Sequence, residues 1–163
     1  MIIRTLRLLA LGLWLGTAVF FGAAVAPTLF HVIRGAQLLN ANEIAGTIVT
    51  RLLATINIGG FIIALLLIAT ALLMKRGSRL ALFVEMISLA IMAIMTGVSH
   101  WIISARMLAL RAAMGWPIDQ IAINDSRRVA FDSLHHYSVI VMGVAVVAGL
   151  VAFLIMAARP SGR

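Results

Sequence analysis

Long apolar segments and short polar ones alternate four times along the chain. The apolar segments cover about residues 5–30, 46–74, 80–104 and 127–158. Each is longer than the roughly 20 apolar residues that cross the hydrocarbon of a bilayer. Because a membrane-spanning segment must satisfy its own backbone hydrogen bonds, the pattern predicts four transmembrane helices. Their connectors predict an all-α, antiparallel up-down four-helix bundle, which is a single transmembrane domain over residues 1–163.

The polar connectors predict where the helices end. Residues 31–45 form a polar connector, and Lys75–Arg79 forms a tight basic turn that only antiparallel neighbours can use. The connector between the third and fourth helices is long and polar, with Trp116-Pro117 as a break and Asn124–Ser126 as an N-cap. The stretch around it, Ser99–Ser138, holds three of the four histidines and three of the five acids. We therefore expect any chemistry there.

The first helix has one feature of a secretory signal, because residues 24–26 look like a cleavage site. Pro27 follows directly and should block cleavage, and the apolar run is long for a signal. We therefore expect a retained transmembrane helix whose last turn bends at Pro27. Gly12 and Gly16 form a G-x-x-x-G pair that suits close contact with another helix.

Small and polar residues recur at helical spacing on the second, third and fourth segments. Spacings of three, four or seven residues place them on one face of each helix. Polar groups are costly in hydrocarbon, so these faces should point into the bundle. The intramembrane polar residues expected there are Asn57, Glu85, Ser88 and Ser138, and Gly149 continues the face of the fourth helix.

Glu85 admits two interpretations. Together with Ser88 it suggests a proton or ion path through the membrane. Glu85 also lies close enough to the basic turn to meet Arg79, or to reach water along its own side chain. We favour the second interpretation.

The composition narrows the class of protein. Of the 163 residues 63% are hydrophobic and only 11% are charged, with a mean hydropathy of +1.13, whereas about a quarter of a soluble domain is charged. The net charge of +8 does not indicate nucleic acid, because the arginines lie at the ends of apolar segments. The absence of cysteine excludes disulfides, thiol chemistry and iron–sulfur clusters. A metal or cofactor would therefore have to use His, Met or carboxylate ligands.

The basic residues also predict an orientation. Both termini lie on the same side of an even number of helices. That side carries seven Lys or Arg residues in short segments, and the other side carries six arginines in longer connectors with four acids. Because the positive-inside rule counts Lys and Arg in short loops, we expect both termini in the cytoplasm. The protein would then be a multi-pass protein of the bacterial inner (plasma) membrane.

All four histidines are predicted near the outer face, at the ends of three helices: His31, His100, His135 and His136. They could ligate haem or a metal between facing helices, with Asp132 fixing an imidazole and Arg128 pairing with Asp132. However, the neighbouring His135 and His136 point about 100° apart on a helix, and no metal-ligand spacing is present. We therefore favour a polar cluster that pins the bundle, with His135 facing inward against a polar partner.

Three segments resemble one known family. They are LWLGTAVFFGAAVAPTLF (Leu13–Phe30), AGTIVTRLL (Ala45–Leu53) and FDSLHHYSV (Phe131–Val139). In this order they are similar to the transmembrane-protein-205-like family, whose bacterial members are grouped as a domain of unknown function. The resemblance implies a four-helix integral membrane protein with no established enzymatic activity. His136 departs from the residue expected there, and the family's Phe-x-x-Leu-His-x-x-Ser pattern would fall on Phe131, Leu134, His135 and Ser138.

We therefore expect a non-catalytic membrane protein, a subunit or scaffold that packs in a larger assembly. Its partners would be the lipid bilayer and either copies of itself or other membrane subunits. One alternative is a haem- or metal-binding redox protein that uses the histidines. Another is a small transporter or efflux component in which Glu85 and Asn57 act within the membrane. Four helices leave little room for alternating access, so this last role would require an oligomer.

Overall fold

A computed structural model describes residues 2–73 and 78–158, and these residues form helices joined by short turns and irregular connectors, with no strand among them. Four helical spans in this part of the chain are long and apolar enough to cross a membrane. They are α1 (Ile2–Gly35), α2 (Ala41–Leu73), α3 (Arg79–Met114) and α4 (Ser126–Ala158). The all-α architecture is therefore confirmed, and the chain is a multi-pass membrane protein. Several basic residues counted for the orientation lie outside the described residues: Lys75, Arg76, Arg159 and Arg163.

The helices extend further into the polar segments than predicted. α1 runs to Gly35 and α2 starts at Ala41, so the first connector is only residues 36–40. The predicted end of the third helix at Ser104 is wrong, because α3 continues through Ala105–Met114. This segment, ARMLALRAAM, consists almost entirely of the strongest helix formers. It ends at Gly115, whose positive φ of 69° is the usual left-handed stop.

α1 contains a π-helical turn at Phe21–Val25, directly before Pro27. The N–H of Ala26 donates to the carbonyl of Phe21, five residues earlier. Proline lacks an N–H, and in a regular helix its ring clashes with the carbonyl four residues before it. The wider π turn relieves this clash, so α1 passes through Pro27 and continues as a helix to Gly35.

The four spans pack as a ring in which each helix contacts its two sequence neighbours, and α4 closes the ring on α1. The lower part of α1, Ile2–Phe20, packs against α2 and α4, whereas its last segment, Ala26–Gly35, packs mainly against α2. The core between the spans is formed by side chains from all four, among them Leu11, Ile56, Met92 and Ala145. The upper part of α1 therefore leans toward α2 and away from α4.

Close helix contact depends on glycines that face Trp14. A Cβ on Gly60 would lie 2.5 Å from the indole nitrogen of Trp14, and this N–H donates to the carbonyl of Ile56 at 2.9 Å. A Cβ on Gly149 would lie 3.2 Å from both Trp14 and Leu15. The small-residue face predicted on α4 is thus a buried packing surface.

The predicted G-x-x-x-G pair does not form one contact face. A Cβ on Gly12 would lie 3.3 Å from the Phe153 ring, but Gly16 is exposed and has open space around its Cβ position. Residues four apart are separated by about 40° around a straight helix. Gly12 is only half-buried, at the edge of the face that packs on α4, so a rotation of this size leaves Gly16 outside the contact.

Candidate functional site

One end of the bundle extends beyond the hydrocarbon of a membrane. From Ser138 to Ala158, α4 carries no charged residue, and this length of about 20 residues already spans the hydrocarbon. Tyr137 on α4 and Trp101 on α3 are 61% and 54% exposed, as aromatic residues at a membrane interface are. The helical turns of α4 before Tyr137 and those of α3 well past Trp101 therefore lie at the level of the lipid headgroups.

A cavity of about 250 Å³ lies at this end, between the end of α1, the start of α2, the end of α3 and the start of α4. Its polar lining includes three arginines, and its apolar lining comes from residues of all four spans and of the connector. The polar residues around it are Arg34, Asn42, Thr50, Arg111, Arg128, Asp132 and His135. The apolar ones are Phe30, Val49, Met107, Ile118 and Phe131.

The connector closes the cavity by binding the start of α2. The backbone N–H and side-chain amide of Asn42 donate to Asp119 Oδ1 at 3.2 and 2.6 Å, and the N–H of Glu43 donates to Oδ2 at 3.0 Å. In return the N–H of Ile118 donates to Glu43 Oε2 at 3.2 Å. Asp119 therefore caps the positive end of α2 with a carboxylate.

The pKa of Asp119 reflects this capping role. Partial burial alone would raise its pKa, but the hydrogen bonds from the Glu43 backbone, the Asn42 side chain and the Asn42 backbone outweigh that effect. The pKa of Asp119 consequently lies below its ordinary value of 3.8. Asp119 therefore carries a negative charge at neutral pH, and this charge stabilises the start of α2.

Arg111 is held in place by α2. Its Nε forms an ion pair with Glu43 Oε1 at 3.2 Å, and its Nη1 donates to the hydroxyl of Thr47 at 3.2 Å. The guanidinium also lies over the Phe131 ring, 5.3 Å from its centre, which is within the range of a cation–π contact. A Cβ on Gly46 would lie 3.0 Å from Arg111 Nη2, so the glycine leaves room for the guanidinium.

Arg34 and Arg128 complete the basic lining. The Nε of Arg34 donates to Asn42 Oδ1 at 2.7 Å, and its guanidinium lies 5.1 Å from the centre of the Phe30 ring. The Nη1 of Arg128 donates to the connector carbonyls of Ile118, at 3.2 Å, and Ile121. Arg128 therefore bonds to the connector and not to Asp132, its predicted partner.

The charges around the cavity are unbalanced. Glu43 balances Arg111 as its ion-pair partner, and Asp119 caps α2. The other two arginines of the lining, Arg34 and Arg128, share one lining carboxylate, Asp132. Each guanidinium has five N–H donors, and the bonds made within the described residues use only some of them. The cavity is therefore rich in guanidinium donors, which suits a carboxylate or phosphate group.

The structure divides the four histidines among three places. His31 and His135 line a more open pocket of about 460 Å³ beside the cavity. His136 lines a different surface pocket, and the His100 ring packs edge-on against Trp101 at 5.0 Å. In the part of the chain that the structure describes, no group of three His, Cys, Asp or Glu residues could hold a metal ion.

The inward position of His135 stays a prediction: its side chain is exposed, but it lines the cavity between the spans. On α4, Phe131 is buried against the end of α3 and the connector, and burial resumes at Ser138, where α1 and α3 pack against the helix. His135 lies one turn earlier, where the upper part of α1 has moved toward α2. It lines both the cavity and the open pocket.

The four predicted intramembrane polar residues are all buried: Asn57, Glu85, Ser88 and Ser138. The side-chain amide of Asn57 donates to the hydroxyl of Ser99 at 2.9 Å. The hydroxyl of Ser104 donates to the carbonyl of Ser99 at 2.9 Å, within a π-helical stretch of α3, Val98–Ser104. The bond between Asn57 and Ser99 joins α2 to α3.

The favoured interpretation of Glu85 is wrong. Glu85 is fully buried and forms an ion pair with Arg7 at 2.5 Å, while Arg79 is exposed. Arg7 is only 5% exposed and also donates to the carbonyl of Leu67 at 2.9 Å. From the sequence, Arg7 was counted only among the seven basic residues on the side of the termini, and this buried ion pair was missed.

Other residues of the site were also missed. Arg111 shares a helical face with Met107 and Met114, at spacings of four and three, and this periodicity was the available signal. Asp119 gave no signal, because its partners are about 75 residues away along the chain.

Comparison with known proteins identifies a family. A family model described as Domain of unknown function (DUF4149) matches residues 9–115, which is more than half of the chain. No curated protein matches the chain, and no solved structure matches it. The matched region includes Arg34, Glu43 and Arg111 and ends before α4. The chain therefore belongs to the DUF4149 family, a domain of unknown function.

Proposed function

We propose that this membrane protein is a non-catalytic binding component, a subunit or scaffold of a larger membrane assembly, and that its basic cavity receives an anionic group. The observation that carries the proposal is the cavity itself, where three arginines surround a space of about 250 Å³ with one carboxylate. Guanidinium groups bind carboxylates and phosphates through paired, charge-assisted hydrogen bonds.

The polar groups outside the cavity are engaged in joining the helices, which supports a binding role for the arginines of the cavity. Arg7 and Glu85 tie α1 to α3, Asn57 and Ser99 tie α2 to α3, and Asp119 ties the connector to α2. These groups fix the positions of the helices around the cavity. The arginines of the cavity keep donors that no helix contact uses.

The resemblance to the transmembrane-protein-205-like family supports the same proposal, because it implies an integral membrane protein without an established enzymatic activity. We extend the proposal to the orientation that the basic residues predict. With both termini in the cytoplasm, the cavity would open on the outer face of the bacterial inner membrane. Copies of the chain or other membrane subunits would be the assembly partners.

Thermal unfolding in a mild non-ionic detergent tests anion binding. Sodium phosphate should raise the unfolding temperature more than sodium chloride at equal ionic strength, because a ligand that binds only the folded state stabilises it. At a concentration one hundred times Kd this stabilisation is about 2.7 kcal/mol. Arg111→Gln should abolish the difference between the two salts, and Arg51→Gln should keep it, since Arg51 is exposed and lies outside the cavity lining.

Two results would contradict the proposal. Phosphate and chloride could shift the unfolding temperature of the parent protein equally. Alternatively, Arg111→Gln and Arg51→Gln could respond to phosphate alike. Either outcome would mean that the cavity does not hold the anion.

The haem or metal alternative stays a prediction. The arrangement favours it less, because the histidines lie in three separate places. An absorption spectrum of the purified protein tests it directly, since haem gives a Soret band. The transporter alternative also stays a prediction, and the pairing of Glu85 with Arg7 gives that carboxylate a structural role as well.

A further inference from the structure

We infer that the anionic group is the phosphate of a membrane lipid, which reaches the basic cavity sideways between α1 and α4. This inference rests on the proposed function, namely that the cavity binds an anion. It adds the chemical class of the ligand and its route. Four observations lead to it: a side opening, the course of α1, the depth of the cavity and its apolar lining.

The cavity has an opening toward the surrounding lipid. The open pocket beside it is lined by Pro27, Phe30, His31, Arg34 and His135. Three of these residues, Phe30, Arg34 and His135, also line the cavity. The two spaces therefore adjoin one another, and the outer one lies between the first and fourth spans.

The course of α1 explains why this opening exists. Below the π turn at Phe21–Val25, α1 packs against α4, and above it Ala26–Gly35 packs mainly against α2. The residues of α1 that line the opening, from Pro27 onward, therefore lie above the part of the helix that packs on α4. The opening is therefore a consequence of the proline and the π turn that accommodates it.

The depth of the opening matches that of a lipid phosphate. Its lower edge is Pro27, which follows an uncharged run from Leu8, and its upper edge includes Arg34. Phosphates of a bilayer lie directly outside the hydrocarbon. A lipid beside α1 would therefore present its phosphate to Arg34 while its acyl chains remain next to the apolar part of α1.

The lining of the cavity suits an amphipathic ligand better than a free ion. Apolar side chains from different helices, such as Phe30, Met107 and Phe131, lie beside the arginines. A free phosphate would gain nothing from these side chains, whereas the glycerol backbone and first methylenes of a lipid would bury apolar surface against them. Inorganic phosphate shares the recognised chemistry, so an experiment must separate the two sources.

Native mass spectrometry of the whole chain in mild detergent provides this separation. Phosphatidylglycerol and phosphatidylcholine are added at equal concentration, and bound lipids are counted. The parent protein should retain phosphatidylglycerol in preference, because its headgroup is anionic and phosphatidylcholine is zwitterionic. Arg34→Gln should weaken phosphatidylglycerol binding about tenfold, the cost of losing a charge-assisted hydrogen bond. Arg34 is exposed, so this variant should still fold.

Two further variants test the position and the route. Arg51→Gln removes an exposed arginine that lies outside the cavity lining, so it should bind phosphatidylglycerol like the parent. His31→Trp fills the opening without altering a residue of the cavity lining. It should reduce phosphatidylglycerol binding, while the phosphate-dependent rise in unfolding temperature is retained.

The outcomes distinguish the inference from the proposed function. If inorganic phosphate stabilises the protein through Arg111 but phosphatidylglycerol binds no better than phosphatidylcholine, the lipid inference is overturned and the proposed function stands. The same holds if Arg34→Gln and Arg51→Gln bind phosphatidylglycerol equally, which would indicate lipid retained around the bundle without a site. If neither probe depends on the arginines of the cavity, both proposals are overturned.

Discussion

Replacing Glu85 by leucine would leave the guanidinium of Arg7 buried without its carboxylate. The two residues are 5% and 0% exposed, and their side chains meet at 2.5 Å in the interior of the bundle, where they link α1 to α3. Removing one partner of a buried ion pair costs about 3–5 kcal/mol, because the other charge stays in a medium of low dielectric constant. Arg7 keeps its hydrogen bond to the carbonyl of Leu67 and lies near the end of its helix. We therefore expect a loss of about 3 kcal/mol for Glu85→Leu.

A double variant distinguishes the cost of an unbalanced buried charge from the cost of losing the contact between the two side chains. Arg7→Met with Glu85→Leu replaces both charges by apolar side chains of similar length, a change that is often neutral in buried pairs. The double variant should therefore be more stable than Glu85→Leu alone. Unfolding in mixed detergent micelles, titrated with a denaturing detergent, measures both differences.

Arg79→Gln is the matched control, because Arg79 lies at the same end of the bundle but is exposed. Its free energy of unfolding should stay within about 0.5 kcal/mol of that of the parent. A loss in Arg79→Gln as large as that in Glu85→Leu would mean that Arg79 is the true partner of the carboxylate. A cost below about 1 kcal/mol for Glu85→Leu would refute the buried pair itself.

Three further predictions concern packing, the histidines and pH. Gly149→Leu should lower the free energy of unfolding by about 1–3 kcal/mol, because the Cβ position of Gly149 is 3.2 Å from Leu15. Gly16→Leu should be tolerated, because the space around Gly16 is open. If the two variants were equally stable to heat in detergent, the close contact at Gly149 would be refuted. His135→Ala should leave thermal stability and the absorption spectrum unchanged because His135 is exposed, and a Soret band that disappears with the imidazole would instead support haem. The folded pKa of Asp119 lies below 3.8, so its contribution to stability is present above that pH and is lost as the pH falls through the folded value. The parent should therefore lose stability more steeply than Asp119→Asn as the pH falls below about 5, and parallel curves would contradict the capping role.

The sequence by itself determined the four spans. A bilayer accepts only segments that are apolar over about 20 residues and satisfy their own backbone hydrogen bonds, so hydropathy alone identifies them. Helical periodicity also indicated which faces are buried, because polar groups and small residues avoid lipid: Asn57, Ser88, Ser138 and Gly149 are all inside the bundle. Both conclusions depend only on the local composition of one helix.

Hydropathy was a poor guide to where the helices end. It falls after Ser104, yet α3 continues to Met114 because helix propensity and the apolar contacts of the segment stabilise it beyond the hydrocarbon. The first connector is short for a similar reason. Polar residues begin at His31, but the backbone of α1 stays helical to Gly35.

Only the tertiary structure decided which polar groups meet. Glu85 binds Arg7, which is 78 residues away, and Asp119 binds the start of α2, which is 76 residues away at Glu43. Such pairs depend on the rotation and height of each helix relative to the others. Contacts such as the Trp14 indole on Gly60 set these values, and they involve two helices at once. The periodicity of a single helix shows which face is buried but contains no information on what lies opposite, so the basic cavity appeared only when the helices were packed together.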